Sequence, residues 1–514
     1  MKKLLLMLLV LNLATILTQT GPLAGAPHHN YQDLGTLAAI PNMTVGINKS
    51  GQVTGGTGAT TYYVDAIKGN DKNKGTSINS PWKNLNKINT SSFLPSDKIL
   101  FKRNQSWVGR LVIPSSGSKN GVITIGDYGT GNKPIIKGDN IYYAVWIDGK
   151  NFITMQNLEI SNTKGQGLII TESNDNGLIT IDSCDIHNNM KHGITIHNRG
   201  NTLIINCRIY SNEFNGITVN YSIDTGSWSD IKGANMKLLN NEIHDNGRHG
   251  IYLAGNNAII QHNTIYSNGS QNLSHNMYLI GDNSLVENNT FRDAYNIGFR
   301  YEGSNMIFRY NFLKANHKHN LSFWNDFPDV MSNNKAYYNI FVVKKLTDSS
   351  TSTSMAIFVG KSSNAGNFDG IELYNNSIYA ADDNAGGIWL FGCDNIKIKN
   401  NIFKIWNGCL IYKKSPAIKL TSDYNIFTST NKLPLYAEDS DINFHDWQAR
   451  GHDQHSFFTD PMFVSSAPEI DHDFALEANS LAIRAGTNLS LTKDYKGNPV
   501  SDMPDIGALQ YIKY

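Results

Sequence analysis

Four histidines recur at one position of a repeated pattern, each just before Gly or Asn: His192, His249, His275 and His319. Lys191, Arg248 and Lys318 stand directly before three of them, and nine of the 15 histidines fall between residues 187 and 319. Histidine transfers protons near neutral pH. On the runs that follow this position in the same or later repeats lie Tyr252, Tyr278, Arg300, Glu302, Trp324 and Trp389. Arginine forks onto carboxylates, and aromatic rings pack on sugar rings. Proton transfer on a substrate with rings and acidic groups is the chemistry these residue types offer. The same letters also serve as turn residues in a repeat, so the cluster, rather than any single histidine, carries the functional reading.

The elements that must position these side chains form a repeat of roughly 22 to 26 residues. Each unit has a short β-rich run, an Asn-centred turn, a second run, and then Gly-Ile-x-apolar, as in Leu238–Ile243 leading to Gly250–Leu253. Aligned on the turn, one column reads Leu158, Cys184, Cys207, Asn241, Asn263, Asn289, Asn311, Asn339, Asn376, Asn401, Asn425. Eight successive Asn in one register predict a ladder: coils stacked about 4.8 Å apart let each amide bond the next. The turn also calls for a left-handed residue, which Asn tolerates. Cys184 and Cys207 become buried neighbours in this column, as packing thiols or as a disulfide. Cys409, after Gly408, takes an inward Ile position.

Three short strands per coil with an Asn ladder predict an all-β parallel β-helix with capped ends. The pattern resembles the parallel β-helix repeat family of pectate lyases, polygalacturonases, alginate lyases and uronan epimerases, over roughly residues 62–430. The resemblance implies the right-handed solenoid, with the Asn turn joining second and third strands and Gly-Ile-x-apolar forming the first. Tyr62–Asp65, Gly69–Asp71, Pro81-Trp82 and Leu94–Asp97 resemble the entry segment of exported members; Asp460–Phe463, Ser480–Gly486 and Asp505–Ala508 resemble their closing segment. The expected organisation is a signal peptide at 1–26, a flexible Gly/Thr/Asn-rich linker at 27–61, an entry segment at 62–140, the β-helix at 141–430 and a closing segment at 431–514.

In pectin-active relatives the outward face of the first strand carries the groove. Period-2 alternation then sends Ile194, Ile251, Met277, Phe299 and Leu321 inward. It sends Thr195, Thr218, Tyr252, Tyr278, Arg300, Ser322, Phe358 and Trp389 outward, with His197, Asn220, Ala254, Ile280, Glu302, Trp324 and Gly360 in a second outward column. Excess residues at Ser222–Ala234 (with Trp228) and Lys344–Ser354 fall on either side of this face, as walls around a site do. The second and third strands offer rival faces: Gln261, Glu287, Arg309 and Lys399, and His187, Tyr210, His244, Tyr266, Arg292 and Lys314.

Uronate β-elimination needs a base at C5, neutralisation of the carboxylate and a proton donor to the leaving oxygen; epimerisation shares the first step. The register assigns Arg300 to the carboxylate, His275 as base and Tyr278 as donor, the last two exchangeable, supported by Tyr252, His249, Glu302, Trp324, Lys318, His319 and Trp389. A lyase or epimerase of a uronic-acid polysaccharide is the first expectation. A glycoside hydrolase is the second, needing two carboxylates such as Glu302 with Asp326. A non-catalytic carbohydrate-binding or cell-surface protein is the third. The hallmark motifs of pectate lyases, polygalacturonases and bacterial alginate epimerases are missing from the chain.

With 44 Lys+Arg against 43 Asp+Glu in 514 residues, there is no basic excess for nucleic acid. Four Cys make no disulfide scaffold. Lys2-Lys3, the apolar Leu4–Ile16 and Leu23–Ala26 form the signal peptide, too short to span a membrane. The expected protein is a secreted monomer, extracellular or periplasmic, acting on polysaccharide. No cofactor is required by the sequence, and Ca2+ lacks a supporting acidic cluster.

Overall fold

A computed structural model describes residues 59–513 except 172–176, 220–234, 271–272, 345–353, 384, 416–417 and 438–439. Three fourteen-stranded sheets run between Thr61 and Phe458, and each inner strand pairs with the strand one coil earlier and one coil later. Sheet 1 holds the Gly-Ile-x-apolar strands, from Leu111–Val112 to Ser440–Ile442; sheet 2 and sheet 3 hold the second and third strands of each coil. All pairings are parallel except the last of sheet 1, between Leu435–Ala437 and Ser440–Ile442. Stacking begins before residue 141: Thr61–Val64, Lys98–Lys102 and Ile123–Tyr128 already pair in sheet 2. Signal peptide, most of the linker, Asn220 and the Ser222–Ala234 excess lie outside the described residues, as does the excess at 344–354 apart from its end residues Lys344 and Ser354.

Alternation in sheet 1 sets the core. Val145, Leu168, Ile194, Ile217, Ile251, Met277, Phe299, Leu321, Ile357, Ile388 and Ile411 occupy one inward register, each at most 1% exposed. Apolar burial at about 25 cal/mol per Å² is the main force holding the coils together. Ile411, rather than Cys409, takes the inward place opposite Ile388, because the strand starts two residues later than its Gly suggests. Cys184 and Cys207 are buried, adjacent and free; the Cys184 N–H meets Cys207 Sγ at 3.4 Å.

The Asn ladder is continuous. Asn241, Asn263, Asn289, Asn311, Asn339, Asn376 and Asn401 each donate Nδ2–H to the Oδ1 of the next, at 2.9–3.2 Å. The same oxygens accept the backbone N–H one coil back, for instance Asn241 N to Asn263 Oδ1 at 2.9 Å. The left-handed residue is not the ladder Asn but the one before it, as in Asn240, His262, Asn288, Tyr310 and Tyr338. Ladder positions therefore need Asn for its amide, whereas the residue before them needs tolerance of positive φ. The sequence reading merged the two requirements. A second buried ladder runs through Asn189, Asn212, Asn246 and Asn268 at the turn from sheet 3 to sheet 1, before the histidine row, and passes to Asn276 in the strand that starts at His275.

Both ends are covered. Helix α1 (Leu85–Asn89) and the cluster Tyr62, Trp82, Phe93 and Trp107 close the N-terminal coils. Helix α2 (Phe444–Ala449) buries Trp447, whose indole donates to Asp453 Oδ2 at 2.8 Å. Asp453 Oδ1 accepts from Asn425 Nδ2 at 2.8 Å and so terminates the ladder. The segment after Asp460 turns back along the solenoid instead of adding to its end. Phe463, Phe474, Leu476, Ala482, Ile506 and Ala508 pack on Ile340, Val342, Tyr379, Ile402 and Ile426 of the last sheet 3 coils.

Candidate functional site

Sheet 1 brings the expected strip together. The outward register reads Thr195, Thr218, Tyr252, Tyr278, Arg300, Ser322, Phe358, Trp389, Tyr412 and Tyr436. Ala254, Ile280 and Glu302 stand beside it in the second column, and Trp324 opposite Gly360 continues it.

Arg300 is its centre. Its guanidinium lies over the Tyr278 ring at 4.6 Å and over Trp324 at 5.6 Å. Nη2 donates to Glu302 Oε1 at 2.5 Å and to Asp326 Oδ2 at 2.8 Å, and Nε donates to Glu302 Oε1 at 3.0 Å. The Tyr278 hydroxyl also donates to Glu302 Oε1. Asp326 Oδ1 accepts from Trp324 Nε1 at 2.7 Å and from the Ser362 hydroxyl. Glu302 is 1% exposed and its Oε2 has no hydrogen-bond partner, while the Asp326 side chain is 43% exposed.

Burial penalises the Glu302 carboxylate and raises its pKa above the ordinary glutamate range; Arg300 only partly offsets this, and Asp326 adds to the rise. Burial alone would lower Arg300, but Tyr278, Glu302 and Asp326 hold its charge and carry it higher still. The Tyr278 hydroxyl is pushed well up by burial, with Arg300 opposing and Glu302 assisting.

The histidine row sits behind this centre. His249 and His275 rings are 5.1 Å apart, and both approach Tyr278, at 6.0 and 5.8 Å. His249 also meets Tyr252 at 5.9 Å. The row is buried because each ring fills the turn between coils. His249 Nδ1 accepts the His275 backbone N–H at 3.1 Å, and His192 Nδ1 accepts that of Asn215 at 3.3 Å. Burial, helped by Lys191 and Arg248, lowers His192 to about 4; burial with Arg248 and Arg300 lowers His249 to about 3. His275 and His319 are driven well below the usual value, chiefly by burial. These are neutral imidazoles at neutral pH. Lys318 is lowered by burial and by Arg300. His319 stacks on Phe358 at 4.5 Å, and Trp389 stands three coils from Arg300, between Phe358 and Tyr412.

Sequence reasoning placed Asp326 near Glu302 only as an alternative, and it missed Ser362 and Phe327. The turn 325–330 and the loop 362–366 carry no repeat signal, because they lie between strands. The rival faces are paired within themselves. In sheet 3, His187, Tyr210, His244 and Tyr266 stack face to face at 4.7–5.1 Å and present only ring edges. In sheet 2, Arg309 and Glu287 pair across coils at 2.6 Å. Among the described residues no group of three or more His, Cys, Asp or Glu is placed to hold a metal ion, and no helix is long and apolar enough to cross a membrane.

A family model described as the right-handed beta helix region matches residues 143–271 and 225–357, which span Arg300 and the histidine row. The chain is a right-handed parallel β-helix protein. Over 137 residues, 25% of its length, this β-helix is 30% identical to a lacto-N-biosidase of Bifidobacterium longum subsp. longum, and the match covers 8% of that relative. The β-helix thus spans a small fraction of the curated relative it matches. Among solved structures it is similar to a GH136 lacto-N-biosidase from Eubacterium ramulus, with 18% identity and a TM-score of 0.49 over 66% of this chain and 67% of that one. It is also similar to the pectate lyase Pel9A, with 15% identity and a TM-score of 0.42 over 88% and 96%.

Proposed function

We propose that this β-helix is a carbohydrate-active enzyme that hydrolyses a glycosidic bond lying over Arg300, with Glu302 and Asp326 as its two carboxyl groups. One observation carries the reading: both carboxylates bind one nitrogen, Arg300 Nη2, at 2.5 and 2.8 Å, so their nearest oxygens are at most about 5.3 Å apart. Retaining glycosidases hold their carboxyl pair ~5–5.5 Å apart. The environments also differ in the sense such a pair needs: Glu302 is buried with a raised pKa, and Asp326 faces solvent. Similarity to a lacto-N-biosidase over a quarter of the chain supports the same class.

In the first step the protonated Glu302 carboxyl gives its proton to the glycosidic oxygen as the bond to the anomeric carbon breaks, and Asp326 forms an ester to that carbon. Water then attacks the ester, giving its proton to Glu302 and releasing Asp326. Arg300 covers Glu302, so a bound sugar has to slide the guanidinium aside before the acid meets its oxygen. We read residues 1–26 as a signal peptide, which supports a monomeric exported enzyme acting on a polysaccharide or oligosaccharide outside the cytoplasm.

One observation favours uronan lyase or epimerase chemistry as a second reading: the outer side of Arg300 already accepts a carboxylate, that of Asp326. A uronate could replace it there, with Tyr278 and His275 as proton-transfer groups; His275, at 1% exposure, would act from beneath the face. Incubation with glycan panels separates the readings. Reducing ends without absorbance near 235 nm support hydrolysis, both together support a lyase, and inverted uronates by NMR support an epimerase.

A further inference from the structure

We infer that the strap 325–330 closes the substrate face on the N-terminal side of Arg300, with Phe327 as the specificity-determining residue, so that the enzyme acts at the end of a glycan chain. This rests on the hydrolytic reading of the Arg300 centre.

The strap leaves sheet 1 at Asn325, and its first residues are all held. Asn325 is fully buried; its Oδ1 accepts the Phe327 N–H at 2.8 Å, and its Nδ2 donates to the carbonyls of Asp329 at 2.8 Å and Gly366 at 2.9 Å. The Gly366 N–H donates to the Phe327 carbonyl at 2.8 Å. A Cβ on Gly366 would stand 2.2 Å from the Asp329 carbonyl oxygen, so the two loops lie backbone to backbone. Asp326 is fixed by Arg300, Trp324 and Ser362.

So anchored, the strap turns toward earlier coils, and Phe327 packs against the cluster of Tyr252, Ala254 and Ile280, as Tyr278 also does. Tyr252, Ala254 and Ile280 point outward from sheet 1, yet they are only 3–4% exposed. On the other side of Arg300, Phe358, Trp389, Tyr412 and Tyr436 of the same register stay partly exposed. Coils repeat about every 4.8 Å, close to the length of one sugar residue. A glycan crossing Arg300 can therefore extend over the Phe358–Tyr436 coils, but it meets Phe327 within one or two sugars in the other direction. The scissile bond must lie that close to a chain end.

The test uses reducing-end-labelled hexasaccharides of polygalacturonate, alginate, hyaluronan and N-acetyllactosamine repeats, with wild type, Phe327→Ala and Phe327→Leu. Expected for wild type is cleavage at a single bond within two sugars of one terminus. Phe327→Ala should add cuts at least one sugar further in, while Phe327→Leu, which keeps an apolar plug, should retain the single site. Internal cuts by wild type, or an unchanged pattern in Phe327→Ala, would overturn the chain-end inference and leave the hydrolytic reading standing. No cleavage of any probe by any of the three proteins would sink the hydrolytic reading, and this inference with it.

Discussion

Glu302 and Asp326 come from adjacent coils and meet on one nitrogen of Arg300, the first carboxylate buried beneath the guanidinium and the second open to solvent. A proton placed on Glu302 is favoured by that burial. Glu302→Gln keeps the shape and removes the acid, so activity on a cleavable glycan should fall ~10²–10⁴-fold, the usual worth of general acid catalysis. Wild-type activity should decline on the alkaline side as Glu302 loses its proton, at a pH above the ordinary glutamate range. The residual activity of Glu302→Gln should lack that limb. Steady-state rates from pH 5 to 9 check both.

Arg300→Ala strips a buried carboxylate of its partner, which costs about 3–5 kcal/mol in comparable buried pairs. Glu302 can answer by binding a proton, so the loss should be smaller near pH 5 than near pH 9. Urea midpoints of wild type and variant at the two pH values measure it; an equal loss at both would mean that Glu302 is charged throughout.

The histidine row makes the fold acid-labile. His192 and His249 have folded pKa values of about 4 and about 3, below the ~6.5 of the unfolded chain. Their stability contribution is thus complete above pH 6.5 and is lost as pH falls toward the folded values. At 1.36 kcal/mol per unit, His192 alone accounts for about 3 kcal/mol between pH 6.5 and 4. Urea midpoints over that range should fall steeply, and less steeply in His192→Asn.

Asn289 links two coils through both its amide groups. Asn289→Ala leaves the buried Asn263 N–H without its acceptor and should cost ~2–4 kcal/mol. Asn283, in an exposed row of the same residue type, donates nothing buried; Asn283→Gly, which keeps its left-handed backbone, should cost under about 1 kcal/mol. Paired urea titrations compare them.

Much of this was legible in the chain. Period-2 alternation fixes the inward row from Ile194 to Leu321, and stacking in register converts a column of Asn letters into a physical ladder. Arg300, Tyr278 and Glu302 followed from the same register. The histidine row was legible as a position but not as a buried one, because its burial arises from the next coil's backbone, as His249 shows by accepting the His275 N–H. The strap was not legible: Phe327 packs against the cluster of Tyr252, Ala254 and Ile280 on earlier coils, through a turn without periodicity. Nor was the return of the closing segment over Ile340 and Ile402, since a β-helix pattern encodes contacts between successive coils and not what later covers them.

The most direct test is product analysis with wild type, Glu302→Gln and Asp326→Asn on the glycan panel, reading reducing ends and absorbance near 235 nm together. The carboxyl-pair account predicts new reducing ends with no rise at 235 nm for wild type, and loss of at least ~100-fold in each variant with the fold intact by circular dichroism. Absorbance rising with the reducing ends, or full activity in both variants, would contradict it.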